Sequence, residues 1–222
     1  MAIIFGIDGI DVLSKKDQTR NQHNSFVWKL VENSSSIAQE KRYLIGPKGL
    51  IGSLDEYIEN GYGFVRSRFR AAQRDSPILL VGYSRGAAAI ISLAHRLDKR
   101  NIPIKAMLLF DAVDKHTSAN LSKIANNTIN VFHLRSSLSS KLNLSVAGKQ
   151  SNSSTLYNEK VFKCTHSAMG GFPLVPDTGV PENELITFPA YNESNITYAD
   201  DKKISNEVWS YLQTFRSQQG FS

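Results

Sequence analysis

Residues 79–90 read LLVGYSRGAAAI, and Ser84 stands there between Gly82 and Gly86, where an apolar run gives way to an alanine-rich one. A serine hydroxyl is a weak nucleophile until a neighbouring base removes its proton, and that base needs an acid to orient it. G-x-S-x-G is the spacing that presents such a serine on a strained turn from strand to helix, where small neighbours let the two elements close together. The bare pattern arises by chance in about one chain of this size in ten at average glycine and serine frequencies. A strand-like PILLVGY before it and a helix-like RGAAAIISLAHRL after it make chance much rarer.

The acid and base must follow in the order Ser, Asp or Glu, His. The apolar run IKAMLLF ends at Asp111, so its carboxylate should emerge on the same sheet edge as Ser84, with Asp114 as second choice. Five histidines compete for the base. His23 precedes the serine, His95 lies two or more turns into the following helix, His133 falls inside a strand, and His116 shares a short loop with Asp111. His166, in KCTHSAMGGFP, follows a strand-like VFKC, has a loop setting and has the correct order; it is the expected base. The backbone N–H of Arg85 and an N–H from the loop after the first strand, with Gly9 there to admit close approach, are the expected oxyanion donors. Asp8 reads as structural, paired with Arg85.

The elements that would position these residues alternate. Strand-length apolar stretches at 2–7, 42–45, 78–82, 104–110 and 128–134 are separated by helix-like stretches at 24–32, 54–73, 85–97 and 204–215. That alternation predicts an α/β fold with a mostly parallel sheet and helices on both faces. Gly61 and Gly63 are expected to break or kink the helix over 54–73. The Ser/Asn-rich stretch 136–158 has weak periodicity and reads as a flexible surface loop or a lid over the site.

A chain of 222 residues with 41% hydrophobic and 21% charged residues suits one globular domain, 1–222. No apolar run reaches bilayer-spanning length, and the first residues meet acid too early for a secretory leader, so cytoplasmic residence is the default expectation, with leaderless export the alternative. The single cysteine, Cys164, excludes an intrachain disulfide and a multi-cysteine zinc site, and reads as a buried thiol. No cofactor or metal is called for. The net charge of +6 is scattered over the chain. Its one cluster, Arg66, Arg70 and Arg74 with Arg68 beside them, reads as a solvated helix face, so nucleic acid is not an expected partner. An anionic membrane surface is the expected partner only if the substrate is lipid.

GYSRGA, LLFDAVD, the early Asp8-Gly9 and HSAMGG together resemble an α/β-hydrolase group that includes the type VI secretion phospholipase effectors. Members carry G-[FY]-S-R-G-A at the elbow, a later F-D-[TA]-V and a late H-[ST]-D-x-G-G. The resemblance covers islands between about residues 4 and 172. It implies Ser84 as nucleophile, Asp111 as acid and His166 as base, without a cofactor, in an esterase, lipase or phospholipase acting on carboxylic esters. The chain departs from the group at Ala168, where an acid is usual, and at Ile10, where threonine is. The expected function is ester hydrolysis through an acyl-enzyme on Ser84. The alternative is a non-catalytic α/β-hydrolase-like protein that binds a small-molecule ligand or a partner.

Overall fold

A computed structural model of the chain describes residues 2–10, 22–32, 39–47, 53–72, 74–115, 119–138, 144–187 and 195–219. Six parallel strands form its main sheet: β1 (Ala2–Ile7), β2 (Gln39–Leu44), β3 (Ile78–Tyr83), β4 (Ile104–Phe110), β6 (Thr128–Ser136) and β8 (Leu156–Phe162), in the spatial order 2-1-3-4-6-8. A two-stranded antiparallel piece, β5 (Val113–Asp114) with β7 (Ser145–Val146), lies beside it. The central strands AIIFGI, ILLVGY and IKAMLLF are apolar almost throughout because both of their faces are covered. The outer strands QEKRYL and LYNEKVF carry charge, as strands at sheet edges do. That charge is why β2 is longer than the 42–45 segment apolarity predicts, and why the start of β8 reads as loop.

Side chains alternate along the central strands and sort into two layers. Ile3, Phe5, Ile7 and Leu80 pack with α2 (Asp55–Ala71), α3 (Arg85–Asp98) and the single turn α4 (Ala119–Ser122). Ile4, Leu79, Val81 and Phe110 pack with α1 (Phe26–Glu32), the short α5 (His166–Met169) and α6 (Tyr198–Gln219). The expected mostly parallel sheet with helices on both faces is the architecture found. α1 begins after a 3-10 turn at Gln22–Asn24, and the Ser25 hydroxyl caps it by accepting the Trp28 N–H.

Two expectations change. α2 runs unbroken through Gly61 and Gly63. Gly61 is buried against the Phe5 ring and Leu93, where a Cβ would sit 2.6 and 2.7 Å from them, so this glycine brings the helix close to the sheet instead of breaking it. The stretch 136–158 is also not simply a loop. It contains the end of β6, β7 and the start of β8, with Ala147 buried and Asn152 closing a turn by accepting the backbone N–H groups of Ser154 and Thr155. Its weak periodicity comes from short pieces that belong to different layers. Residues 139–143 lie outside the described residues, as does His116.

Candidate active site

Four strands deliver their carboxyl ends to one edge of the sheet: β1 ends at Ile7 before Asp8 and Gly9, β3 before Ser84, β4 before Asp111, and β8 leads to His166. Ser84 has φ 55° and ψ −126°, a conformation an L-residue adopts only when its surroundings impose it. They do so by omitting side chains. A Cβ on Gly82 would lie 2.5 Å from the Ala87 Cα, and one on Gly86 would lie 2.0 Å from the Asp8 carbonyl oxygen and 2.4 Å from that of Ile7. Ser84 N–H donates to the Phe110 carbonyl at 2.9 Å, and the Ser84 carbonyl accepts from Ala87, Ala88 and Val113. The serine is therefore tied to β4 on one side and to the head of α3 on the other.

Asp111 also has a positive φ, 43°. Its N–H donates to the Leu134 carbonyl at 2.7 Å, and its Oδ1 accepts the Ser136 N–H at 3.2 Å. The other oxygen, Oδ2, lies 2.6 Å from His166 Nδ1, and His166 Nε2 lies 2.8 Å from the Ser84 Oγ. A carboxylate can only accept, so Nδ1 carries the imidazole proton and Nε2 is left to accept from the serine hydroxyl. Ser84, Asp111 and His166, far apart in sequence, thus form one continuous hydrogen-bonded line. Ser84 and Asp111 are buried, while the His166 side chain is 18% exposed.

The line rests on residues that sequence patterns did not single out. His166 opens α5, whose cap Thr165 accepts the Ala168 N–H through its hydroxyl. Asp201, on α6, accepts the Thr165 N–H at 2.7 Å, the Thr165 hydroxyl at 2.9 Å and the Leu174 N–H at 3.0 Å. The loop carrying the imidazole is held on both sides by one carboxylate. Burial pushes the Asp201 pKa above the ordinary carboxylate value, and the hydrogen bonds from Thr165 and Leu174 pull it back. The Tyr83 hydroxyl donates to the His166 carbonyl at 2.9 Å, and its ring lies 5.1 Å from the imidazole.

His133 supports the backbone beside Asp111 in the same manner. It is fully buried, accepts the Ala112 N–H at Nε2 (3.3 Å) and donates from Nδ1 to the Tyr157 hydroxyl (3.0 Å), which in turn donates to the Gly148 carbonyl (2.9 Å). Burial lowers its pKa to about 4, and Arg135 adds to the lowering while the Asp111 and Glu159 carboxylates oppose it. His133 is therefore a neutral strut beside Asp111. His95 bonds the Lys123 carbonyl and His23 packs edge-on against Trp28, both away from Ser84.

Three expectations for the site are corrected. Arg85 pairs with Asp114 at 3.0 Å, and both side chains are nearly buried; Asp114 is thereby occupied and Asp111 alone meets the histidine. Asp8 does not pair with Arg85. It accepts the Tyr43 hydroxyl at 2.7 Å and the Gly9 N–H at 2.9 Å, and burial raises its pKa over the opposing hydrogen bonds from Ser25, Tyr43 and Gly9. The Gly9 N–H expected at the oxyanion is thus taken up by Asp8. Gly9 contributes space, since a Cβ there would lie 2.7 Å from the Tyr83 ring and 3.2 Å from the Ser84 Cβ.

Cys164 is buried and free, and burial raises its thiol pKa. Ala168 is fully buried under α6, where the Ser205 hydroxyl donates to its carbonyl. In the apolar stretch GGFPLVP, Phe172 is buried and Leu174 packs on the same core, which leaves Val175 as its one exposed large side chain. Arg68 and Arg70 are exposed on α2 and Arg66 is half-buried, while Arg74 lies beyond the helix end at Ala71 with a φ of 66° and does not share the expected face. No described helix is long and apolar enough to cross a membrane.

A cavity of about 310 Å³ opens beside the His166–Asp111 pair, with Val113, Leu138, Leu144 and Val146 as apolar walls. A larger cleft of about 600 Å³ lies between α2 and α3, lined by Tyr62, Arg66, His95 and Arg96 and by no residue of the Ser84 line.

No protein-family model matches the chain and no curated protein matches it. Among solved structures, similar chain traces occur in ClbQ from the colibactin NRPS/PKS pathway (9% identity, all of both chains, TM-score 0.46). They occur too in a putative cell surface hydrolase from Lactobacillus plantarum WCFS1 (11% identity, 96% of this chain and 92% of that one, TM-score 0.45). The type II thioesterase BorB from the borrelidin biosynthetic cluster is similar over 72% of this chain and 83% of its own, at 10% identity and a TM-score of 0.38.

Proposed function

We propose that the protein is a serine hydrolase that cleaves a carboxylic ester through an acyl-enzyme. One observation carries the reading: the unbroken line from Ser84 Oγ through His166 to Asp111, with spacings of 2.8 and 2.6 Å. His166 Nε2 takes the serine proton as Oγ bonds to the ester carbonyl carbon, and the carbonyl electron pair moves onto oxygen. The Arg85 N–H, at the head of α3, donates to that oxyanion, and the helix N-terminus adds its field. The Gly9 N–H serves there only after leaving Asp8. Collapse of the intermediate expels the alcohol, which takes the proton back from His166. Water then repeats the sequence and frees the acid and Ser84. Asp111 stays ionised throughout, holding the imidazole and stabilising its protonated form.

The same steps serve an oxygen ester and a thioester, which differ in the leaving group. A matched oxygen-ester and thioester pair sharing one acyl chain separates the two. Lipid is the narrower reading. Its support is the family resemblance and the +6 charge, because in GGFPLVP Phe172 is buried and Leu174 packs on the core, leaving Val175 as its one exposed large side chain. Binding to anionic vesicles is its test.

Fluorophosphonate labelling with peptide mapping tests the central reading. The wild type should label at Ser84, and Ser84→Ala and His166→Ala should not. The Ser84→Ala protein should stay folded while ester turnover falls by a factor on the order of 10⁴ to 10⁶. A folded wild type that resists the reagent would support the binding-protein alternative instead.

A further inference from the structure

The cleft of about 600 Å³ between α2 and α3 holds no residue of the Ser84 line and has room for a small ligand. Tyr62 and Arg66 stand one turn apart on its α2 wall. Arg96, Lys99 and Arg100 stand on the other, over the last turn of α3 and just past it. Four cations thus share the cleft with a single carboxylate, that of Asp55. Lys99 and Arg100 are exposed and gain from the C-terminus of α3. Arg96 is half-buried and paired with Glu59. Arg66 has neither compensation. It is half-buried, it precedes the last turn of α2, and no carboxylate among the described residues pairs with it; Glu40 and Glu59 are taken by Arg68 and Arg96. Its guanidinium lies 5.7 Å from the centre of the Tyr62 ring, and that of Arg96 lies 4.6 Å from the same ring. One ring therefore gathers two like charges, of which Glu59 offsets only one.

We propose that this cleft binds a phosphomonoester group. The inference goes beyond the serine-hydrolase reading and does not depend on it. Asp55 and Glu59 offset two of the four cations, and the two positive charges that remain match a phosphomonoester, which is close to a dianion at neutral pH. A carboxylate would balance only one of them. Phosphate oxygens also accept from several guanidinium N–H groups at once, the geometry for which arginine is suited. Arg66 and Arg96 already rest on Tyr62, so seating the anion costs them little ordering.

Calorimetry on the full chain at about pH 7.5 tests this with glycerol 3-phosphate and with glycerate, its monoanionic counterpart. The phosphomonoester should bind at least about ten-fold more tightly, with a preference that shrinks as salt is raised. Arg66→Gln should weaken its binding at least about ten-fold. The pair Lys99→Gln/Arg100→Gln, at exposed positions, should weaken it too and carries the test if Arg66→Gln does not fold. Arg70→Gln removes the same charge from α2 outside the cleft and should change nothing. Equal affinity for the two compounds, no binding of either, or equal losses at Arg66 and Arg70 would overturn the proposal, the last by showing only a general attraction to a basic protein. Duplex DNA binding more tightly than glycerol 3-phosphate, and losing its hold in the same variants, would overturn it in favour of a nucleic-acid backbone. Vesicles containing phosphatidic acid separate two sources of the same group, and either result supports the site. Capture that glycerol 3-phosphate reverses assigns it to a lipid headgroup, and glycerol 3-phosphate binding without capture assigns it to a free phosphomonoester.

Discussion

The Ser84 side of the candidate site and its Asp111–His166 side are built by opposite means. Ser84 is positioned by side chains that are missing: Gly82, Gly86 and Gly9 let β1, β3 and α3 approach to distances that any Cβ would forbid. Asp111 and His166 are positioned by side chains that are present, namely His133 and Tyr157 behind Asp111, and Thr165 with Asp201 behind His166. The first arrangement is steric and local, so its failure is abrupt. The second is a set of hydrogen bonds between distant segments, so it fails in steps and responds to pH.

Substitution at Gly86 probes the steric side and should have the largest effect on stability. Gly86→Ala drives a Cβ to within 2.0 Å of a backbone oxygen, which cannot rotate away. A loss on the order of 4 kcal/mol in urea unfolding is expected. Gly63→Ala is the control, since a Cβ there meets nothing within 4 Å, and it should stabilise α2 by up to about 1 kcal/mol. Similar losses at the two glycines would erase the distinction.

Next in size is the pH response of the hydrogen-bonded side. His133 is held neutral in the fold, with a pKa of about 4 against 6.5 when unfolded. Between those values the unfolded chain binds the proton and the folded one does not, so stability present above pH 6.5 is lost as pH falls towards 4. The loss attributable to this group is on the order of 3 kcal/mol. Asp8 and Asp201 act in the reverse sense, since their raised pKa values make the folded state the better proton binder just above pH 4. Comparing the wild type with His133→Gln isolates the histidine: the variant should be less stable at pH 7 and should show a flatter profile between pH 6.5 and 4. Parallel profiles would remove His133 from the account.

The smallest loss expected is at Asp201. Asp201→Ala leaves the Thr165 and Leu174 N–H groups without their acceptor, at a cost of about 2 kcal/mol. The loosened His166 loop should lower kcat for ester turnover more than it raises KM. Asp201→Asn, which keeps one acceptor oxygen, should fall between. Unchanged turnover in the Ala variant would show that the loop holds its imidazole without α6.

The sequence by itself determined the elbow and the order of the catalytic candidates. Gly82, Ser84 and Gly86 are adjacent, and the chemistry of a strained turn is written in neighbours. Asp111 ends an apolar strand and His166 follows another, so a parallel sheet sends both to one edge once its strand order is granted. The central strands were legible because burial on both faces makes them apolar throughout. The starts of β2 and β8 were not, because an edge strand holds its place by backbone hydrogen bonds that charged side chains do not reveal.

Tertiary structure alone decided which polar residues meet. Asp8 was the expected partner for Arg85, but packing gave Arg85 to Asp114 and left Asp8 to Tyr43 and the Gly9 N–H. Asp201 reaches the His166 loop across 36 residues, and Arg135 meets Glu159 across 24. Such contacts leave no periodic trace in a sequence. A hydrogen bond acts over about 3 Å in space and carries no constraint on how far apart its partners lie along the chain.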